Sequence, residues 1–276
     1  MKKILKYNHE IIPLIFFIFQ EIFIYMLFIS LSTPALLIYI LISTILFVII
    51  IIDGTKTFKR ELRKDLLIQN KEIIENTYTY NQLILPSLLY LSVLMFNILN
   101  IGNIFILEFS VIFSAILLYF LLIHINTYKK SLEFDEMTHH TLNAVKIYLF
   151  FLLSYTIFQI SYISKSPIII TTVLIFIISF TLLIILIQRN KQFEKSTLLY
   201  SLVISIILGF LSFGSLLFIK DSIIESFIDT AFFYVSASIL HHKVEDNLSK
   251  TLVVEYVLFF LIMLLIIKGI FNIYIT

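Results

Sequence analysis

The sequence predicts an all-α, polytopic transmembrane bundle of about nine helices, with the N-terminus in the cytoplasm and the C-terminus outside. Three observations predict it. Of the 276 residues 60% are hydrophobic and only 14% are charged, against about 25% in soluble domains, so there is too little charge to cover a surface facing water on all sides. The apolar residues come in long runs, as at 11–29, 35–52 and 198–219, and a helix needs about 20 such residues to cross hydrocarbon. The basic residues also alternate: segments 1–10, 53–82, 126–142, 188–197 and 241–250 carry 3, 6, 2, 3 and 2 Lys or Arg, while the connections between them carry one at most. Basic connections stay on the cytoplasmic side, which fixes the orientation.

Because backbone groups in hydrocarbon must bond internally, each long apolar run reads as a helix. The first, 11–29, follows Lys2, Lys3 and Lys6. It looks like a signal peptide, but it is too long and no small-residue cleavage site follows, so it reads as an uncleaved span. The second, 35–52, starts after Pro34 and is expected to stop at Gly54. The third, 83–99, has Pro86 near its start; the fourth is 104–125 and the fifth 144–163. The sixth, 168–187, follows Pro167. In the seventh, 198–219, Ser201, Ser205 and Gly209 recur every four residues, a small-residue face that reads as a packing seam or, alternatively, a substrate path. The eighth is 222–240 and the ninth 251–271, and all nine form one integral membrane domain over 1–276.

The longest connection, 53–82, places Phe58, Leu62, Leu66 and Ile73 at helical spacing among Lys59, Arg60, Arg63 and Lys64. It reads either as a helix lying on anionic lipid or as a solvated connector. With no tryptophan in the chain, tyrosines near span ends, such as Tyr7, Tyr80, Tyr128 and Tyr200, supply the interfacial aromatics.

Acids inside spans are the candidate functional residues, because an ionised carboxylate at mid-membrane costs about 2.5–3.5 kcal/mol even on the permissive insertion scale. Glu21 lies ~15 Å into the first helix and Asp229 ~12 Å into the eighth. Ser222, Glu225, Asp229 and Ser236 share one arc of the eighth helix. Glu10, Glu21 and Ser32 are spaced to share a face of the first. Glu108 and Glu255 stand about a turn inside the ends of the fourth and ninth helices. No Lys or Arg occupies the centre of any span. The acids are then either neutral groups cementing the bundle or holders of a proton or mobile cation. Glu21 and Asp229 are expected to organise the polar interior.

Two predicted cytoplasmic segments combine imidazole with carboxylate: Asp135 and Glu136 with His139 and His140, and His241 and His242 with Glu245 and Asp246. That ligand set suits zinc, iron or manganese, but the spacings match no defined metal motif, and solvated loop ends are the default reading. Cysteine is absent, which excludes disulfides and thiolate chemistry. No phosphate-binding loop or hydrolase motif occurs, and nothing points to nucleic acid.

The nine-span topology, with basic connections after spans two and six, resembles the UbiA-type prenyltransferases. The resemblance implies an enzyme holding a prenyl pyrophosphate through a divalent metal on acids of these connections, here Asp53, Glu61 and Asp65 in the first and Glu194 in the second. These acids do not reproduce the family's paired-aspartate spacing. The stretch from His241-His242 through Leu248 to Val253-Val254-Glu255-Tyr256 resembles the tails of uncharacterised polytopic bacterial membrane proteins. It implies a bacterial or archaeal plasma membrane, with lipid as the partner and anionic lipid at the cytoplasmic face. Three functions stay open: ion, proton or small-molecule handling, a lipid-directed enzyme, and a non-catalytic subunit.

Overall fold

Hydropathy and helix-forming composition produce helices throughout the computed structural model, which describes residues 8–29, 32–65, 83–131, 136–187, 195–219, 221–244 and 247–271. Among the described residues there are nine helices and no strands: α1 Asn8–Phe28, α2 Thr33–Asp65, α3 Leu85–Leu99, α4 Ile104–Ser131, α5 Glu136–Ser164, α6 Ile168–Ile187, α7 Lys195–Phe218, α8 Ser222–Val244 and α9 Lys250–Phe271. Seven of these are long and apolar enough to cross a membrane. The other two, over Leu85–Leu99 and Ile168–Ile184, are apolar but shorter. Fifteen residues of α3 rise only ~22 Å, less than the ~30 Å of a hydrocarbon core.

Helix ends depart from the hydropathy boundaries in a consistent way. α2 runs through Gly54 to Asp65, so glycine does not stop it. One interior Gly costs about 1 kcal/mol, and the Lys, Arg, Glu and Leu that follow favour continuation. The basic segment therefore continues a span as one helix up to Asp65; Leu66 and Ile73 lie outside the described residues. α4 continues to Ser131 and α5 starts at Glu136, so the expected loop 126–142 is mostly helix. α1 starts at Asn8, which puts Pro13 inside it. It ends at Phe28, and Ser32 instead accepts the N–H groups of Ala35 and Leu36 at the start of α2. The expected face of Glu10, Glu21 and Ser32 therefore stops short of Ser32.

The chain forms two compact units, Met1–Lys146 and Ile147–Thr276. In the first, α1 packs on α2, α3 and α4, and α3 on α2 and α4. Its centre is aromatic: Phe47 stacks on Tyr90 at 4.5 Å, with Phe16 edge-on to both at 5.8 and 5.7 Å. All three are fully buried. In lipid such contacts stabilise through close packing, since hydrocarbon is as apolar as the side chains themselves.

In the second unit α6 packs on α7 and α8, α8 on α7 and α9. The 147–164 part of α5 joins through Phe150 stacked on Phe233 at 4.3 Å and Phe151 against Phe227 at 4.8 Å. Ser161 and Thr171 hydrogen-bond between α5 and α6. The turn between those helices sets Lys165 in the left-handed region (φ 52°), with Ser166 N–H reaching back to Ser161 O at 3.0 Å, a Schellman stop. The small-residue face of α7 is buried at Ser201 and Ser205, and at Gly209 it meets Thr172 and Phe176 of α6. That is the packing seam.

Candidate functional site: the acid ladder of α8

α8 begins with a cap. Asp221 Oδ1 accepts the N–H groups of Ile223 and Ile224 at 2.9 and 3.2 Å, satisfying donors that the first turn leaves free. Acids recur at Glu225 and Asp229, so three carboxyls climb one face in steps of ~6 Å. The first is exposed, and the next two are 0% exposed. Ser222, Ser226 and Ser236 are buried on the same helix.

Each buried acid is held by one hydroxyl from another helix. Tyr162 of α5 donates to Glu225 Oε2 at 2.5 Å, and its oxygen also lies 3.1 Å from Ile219 O. Ser212 of α7 hydrogen-bonds Asp229 Oδ2, and its oxygen also lies 3.0 Å from Leu208 O of its own helix. One turn before Glu225, Ser222 donates to Gln159 Oε1 of α5 at 2.6 Å. The second oxygen of each acid, Glu225 Oε1 and Asp229 Oδ1, is buried with no hydrogen-bond partner among the described residues. No Lys, Arg or His occurs in 147–164, 168–187, 196–218 or 222–240, so these segments hold no basic side chain to neutralise the pair. The α8 N-terminus contributes only the partial positive charge of its first turn. Two buried carboxyls with open oxygens, and no basic side chain in these four segments, can hold protons or a cation.

The remaining acids are placed differently. Glu21 of α1 lies beside Glu108 of α4, so these two candidates, noted separately in the sequence, are neighbours, and Glu21 Oε1 is buried with no hydrogen-bond partner among the described residues. Beside it runs a neutral chain: Gln20 donates to Tyr90 O at 3.2 Å, Asn97 to Gln20 Oε1 at 3.5 Å, and Ser110 to Asn97 Oδ1 at 2.8 Å. Glu255 is exposed on α9. Asp53 is exposed near the apolar end of α2, Glu61 and Asp65 belong to its extension, and His139 and His140 to the first turns of α5. The His241 and His242 rings are 5.5 Å apart, and His242 Nε2 is 3.3 Å from Tyr256 OH. Asp135, Glu194, Glu245 and Asp246 lie outside the described residues. Among the described residues no three or more His, Asp or Glu come together as metal ligands.

Sequence reasoning found the acids and missed their partners Tyr162, Ser212, Gln159, Gln20 and Asn97. One signal was available: Ser212 continues the Ser201, Ser205, Gly209 face, which is the buried face of α7.

A family model described as "Protein of unknown function (DUF5656)" matches residues 27–269. The chain belongs to that family. The matched range takes in the whole α8 ladder with Tyr162 and Ser212, and Glu108 of the other pair, whereas Glu21 precedes it. No curated protein and no solved structure matches the chain.

Proposed function

We propose that this is a multi-pass plasma-membrane protein of a bacterium or archaeon that handles a proton or small cation at the α8 acids. One observation carries the reading: Glu225 and Asp229 are fully buried a turn apart, and each keeps one oxygen without a partner. A purely structural acid gains nothing from an unsatisfied buried oxygen, and intramembrane acids mark ion and proton pathways. The prenyltransferase-like alternative would place its chemistry, with a divalent metal, on Asp53, Glu61, Asp65 and Glu194, and makes no use of the buried pair.

Infrared spectra of the purified protein in lipid nanodiscs, taken as pH is stepped from acid to alkaline, test this. The carboxylic C=O band should change with pH, and part of that change should disappear in Glu225→Gln and Asp229→Asn. A band that ignores pH in the unmodified protein would remove the proposal. The finer topology belongs to the same reading: nine spans, N-terminus in the cytoplasm, C-terminus outside, and basic connections against anionic headgroups. A reporter fused after Thr276 should read external and one inserted within 66–82 cytoplasmic. An internal C-terminus would mean that one of the shorter helices, α3 or α6, does not cross.

A further inference from the structure

We infer that Glu225 Oε1 and Asp229 Oδ1 form a binding site for a monovalent cation, loaded from the Asp221 end in exchange for one proton. The inference rests on the proposed role of these acids and specifies their ligand.

The two hydroxyl donors point the same way. Tyr162 and Ser212 each occupy one oxygen of their acid and leave the other free to coordinate. A neutral acid keeps its proton on the bonded oxygen, because Tyr162 can turn its hydrogen to Ile219 O and Ser212 to Leu208 O, so the open oxygens stay available in the unloaded state. A cation between the acids is attracted by both open oxygens, because side chains four residues apart on a helix are neighbours.

Charge sets the stoichiometry. With no basic side chain in 147–164, 168–187, 196–218 or 222–240, two carboxylates need two positive charges from elsewhere to be neutral in an apolar interior. One monovalent cation and one retained proton supply them. Loading is then a one-for-one exchange: a carboxyl O–H bond breaks, the cation takes the carboxylate, and the proton leaves to solvent. A divalent ion would instead displace both protons, so the number of protons released per cation distinguishes the two.

The direction of access follows from the ladder itself. Four residues beyond Asp229 the same face presents Phe233, fully buried and stacked on Phe150. At the other end Asp221 is exposed. The ladder is open at one end and closed by an aromatic ring at the other, the form of a binding site rather than a through-channel. The titratable and charged groups on elements packed against it are Tyr148, Tyr155 and Tyr162 on α5, Lys195 and Tyr200 on α7, Tyr234, His241, His242 and Lys243 on α8, and Lys250, Glu255, Tyr256 and Lys268 on α9; α6 carries none.

The test uses the full chain in nanodiscs in weakly buffered solution. Sodium, potassium or choline chloride is added at matched ionic strength while proton release and binding of radioactive sodium or rubidium are measured. One proton released per cation bound, with none for choline, is the expected result. Release should vanish in Glu225→Gln and Asp229→Asn and persist in Glu255→Gln. Two protons released per calcium or magnesium would overturn the monovalent assignment. Absence of both binding and release in the unmodified protein would overturn the site altogether. That measurement needs no variant to fold. If the pH-sensitive carboxyl band survives such a failure, the acids handle protons alone and the broader function stands; if the band also fails to respond, both fall.

Discussion

Replacing Tyr162 with Phe removes one hydroxyl and keeps the ring, so it isolates the contact between α5 and the acid ladder. The lost group bonds Glu225 Oε2 at 2.5 Å and lies 3.1 Å from Ile219 O. A hydrogen bond between membrane helices contributes ~0.6 kcal/mol on average and ~1.7 at most. Stripping the donor from an acceptor that stays buried costs ~1–3 kcal/mol. Glu225 is fully buried and its other oxygen already lacks a partner, so the carboxyl has nowhere to turn, and a loss of ~1–2 kcal/mol is expected from those two ranges. Far-UV circular dichroism during SDS-driven unfolding in mixed micelles measures it. Combining Tyr162→Phe with Glu225→Met, which has no comparable acceptor, closes a double-mutant cycle with an expected coupling of ~1 kcal/mol, whereas Thr181→Ala, whose hydroxyl bonds its own helix at Ile177 O, should be additive within ~0.5 kcal/mol. Additivity of Tyr162 with Glu225 would refute the reasoning, since it would mean that the bond contributes nothing to holding α5 on α8.

Three further outcomes are expected from the same unfolding assay. At Gly209 a methyl group would meet Phe176 and Thr172 at 3.6 Å, ordinary contact, so Gly209→Ala should be neutral or stabilising by up to ~1 kcal/mol through helix propensity, while Gly209→Leu should lower stability by prising α7 from α6. Lys165→Gly should stabilise by ~0.5–1 kcal/mol, because the left-handed turn residue (φ 52°) strains any side chain more than it strains glycine. Asn97→Leu should cost ~1–3 kcal/mol by leaving Gln20 Oε1 without its donor, while the Ser110 hydroxyl keeps Leu107 O; restoring stability with Gln20→Leu in the same chain would support that account.

Hydropathy made the helices legible because it reports where residues prefer lipid. It does not report where a helix ends, and the errors fall at that distinction. Gly54 ends the apolar run of α2 but not its helix, and α4 and α5 likewise extend into residues that hydropathy assigns to a loop. The acids were legible for a related reason: Glu21, Glu108, Glu225 and Asp229 stand out among apolar neighbours. Their partners did not stand out. Tyr162 is one of 15 tyrosines and Ser212 one of several serines along α7, so neither is exceptional where it sits. Pairing Glu21 with Glu108 also required knowing that α1 packs on α4 as well as on its chain neighbour α2. That is a matter of helix arrangement, which periodicity along one chain does not encode.

The way this chain satisfies its polar groups explains why each α8 acid is left with one open oxygen. A serine or threonine inside a span has a ready acceptor one turn back on its own helix, and most use it: Ser114 bonds Ser110 O at 2.5 Å, Thr156 bonds Leu152 O at 2.7 Å, Thr172 bonds Ile168 O at 3.0 Å and Ser205 bonds Ser201 O at 2.8 Å. Hydroxyls in spans therefore need no neighbour and mark no site by themselves. An ionised carboxylate has no such recourse, because it only accepts and the N–H groups of a helix interior are already engaged. At the start of α8 the free N–H groups of Ile223 and Ile224 go to Asp221, and Glu225 N–H goes to Asp221 O. Donors for Glu225 and Asp229 must then come from other helices, and α5 and α7 supply one each through Tyr162 and Ser212. Two acids present four oxygens to two donors. The two oxygens left over belong to side chains one turn apart on α8, between an exposed aspartate and a buried phenylalanine.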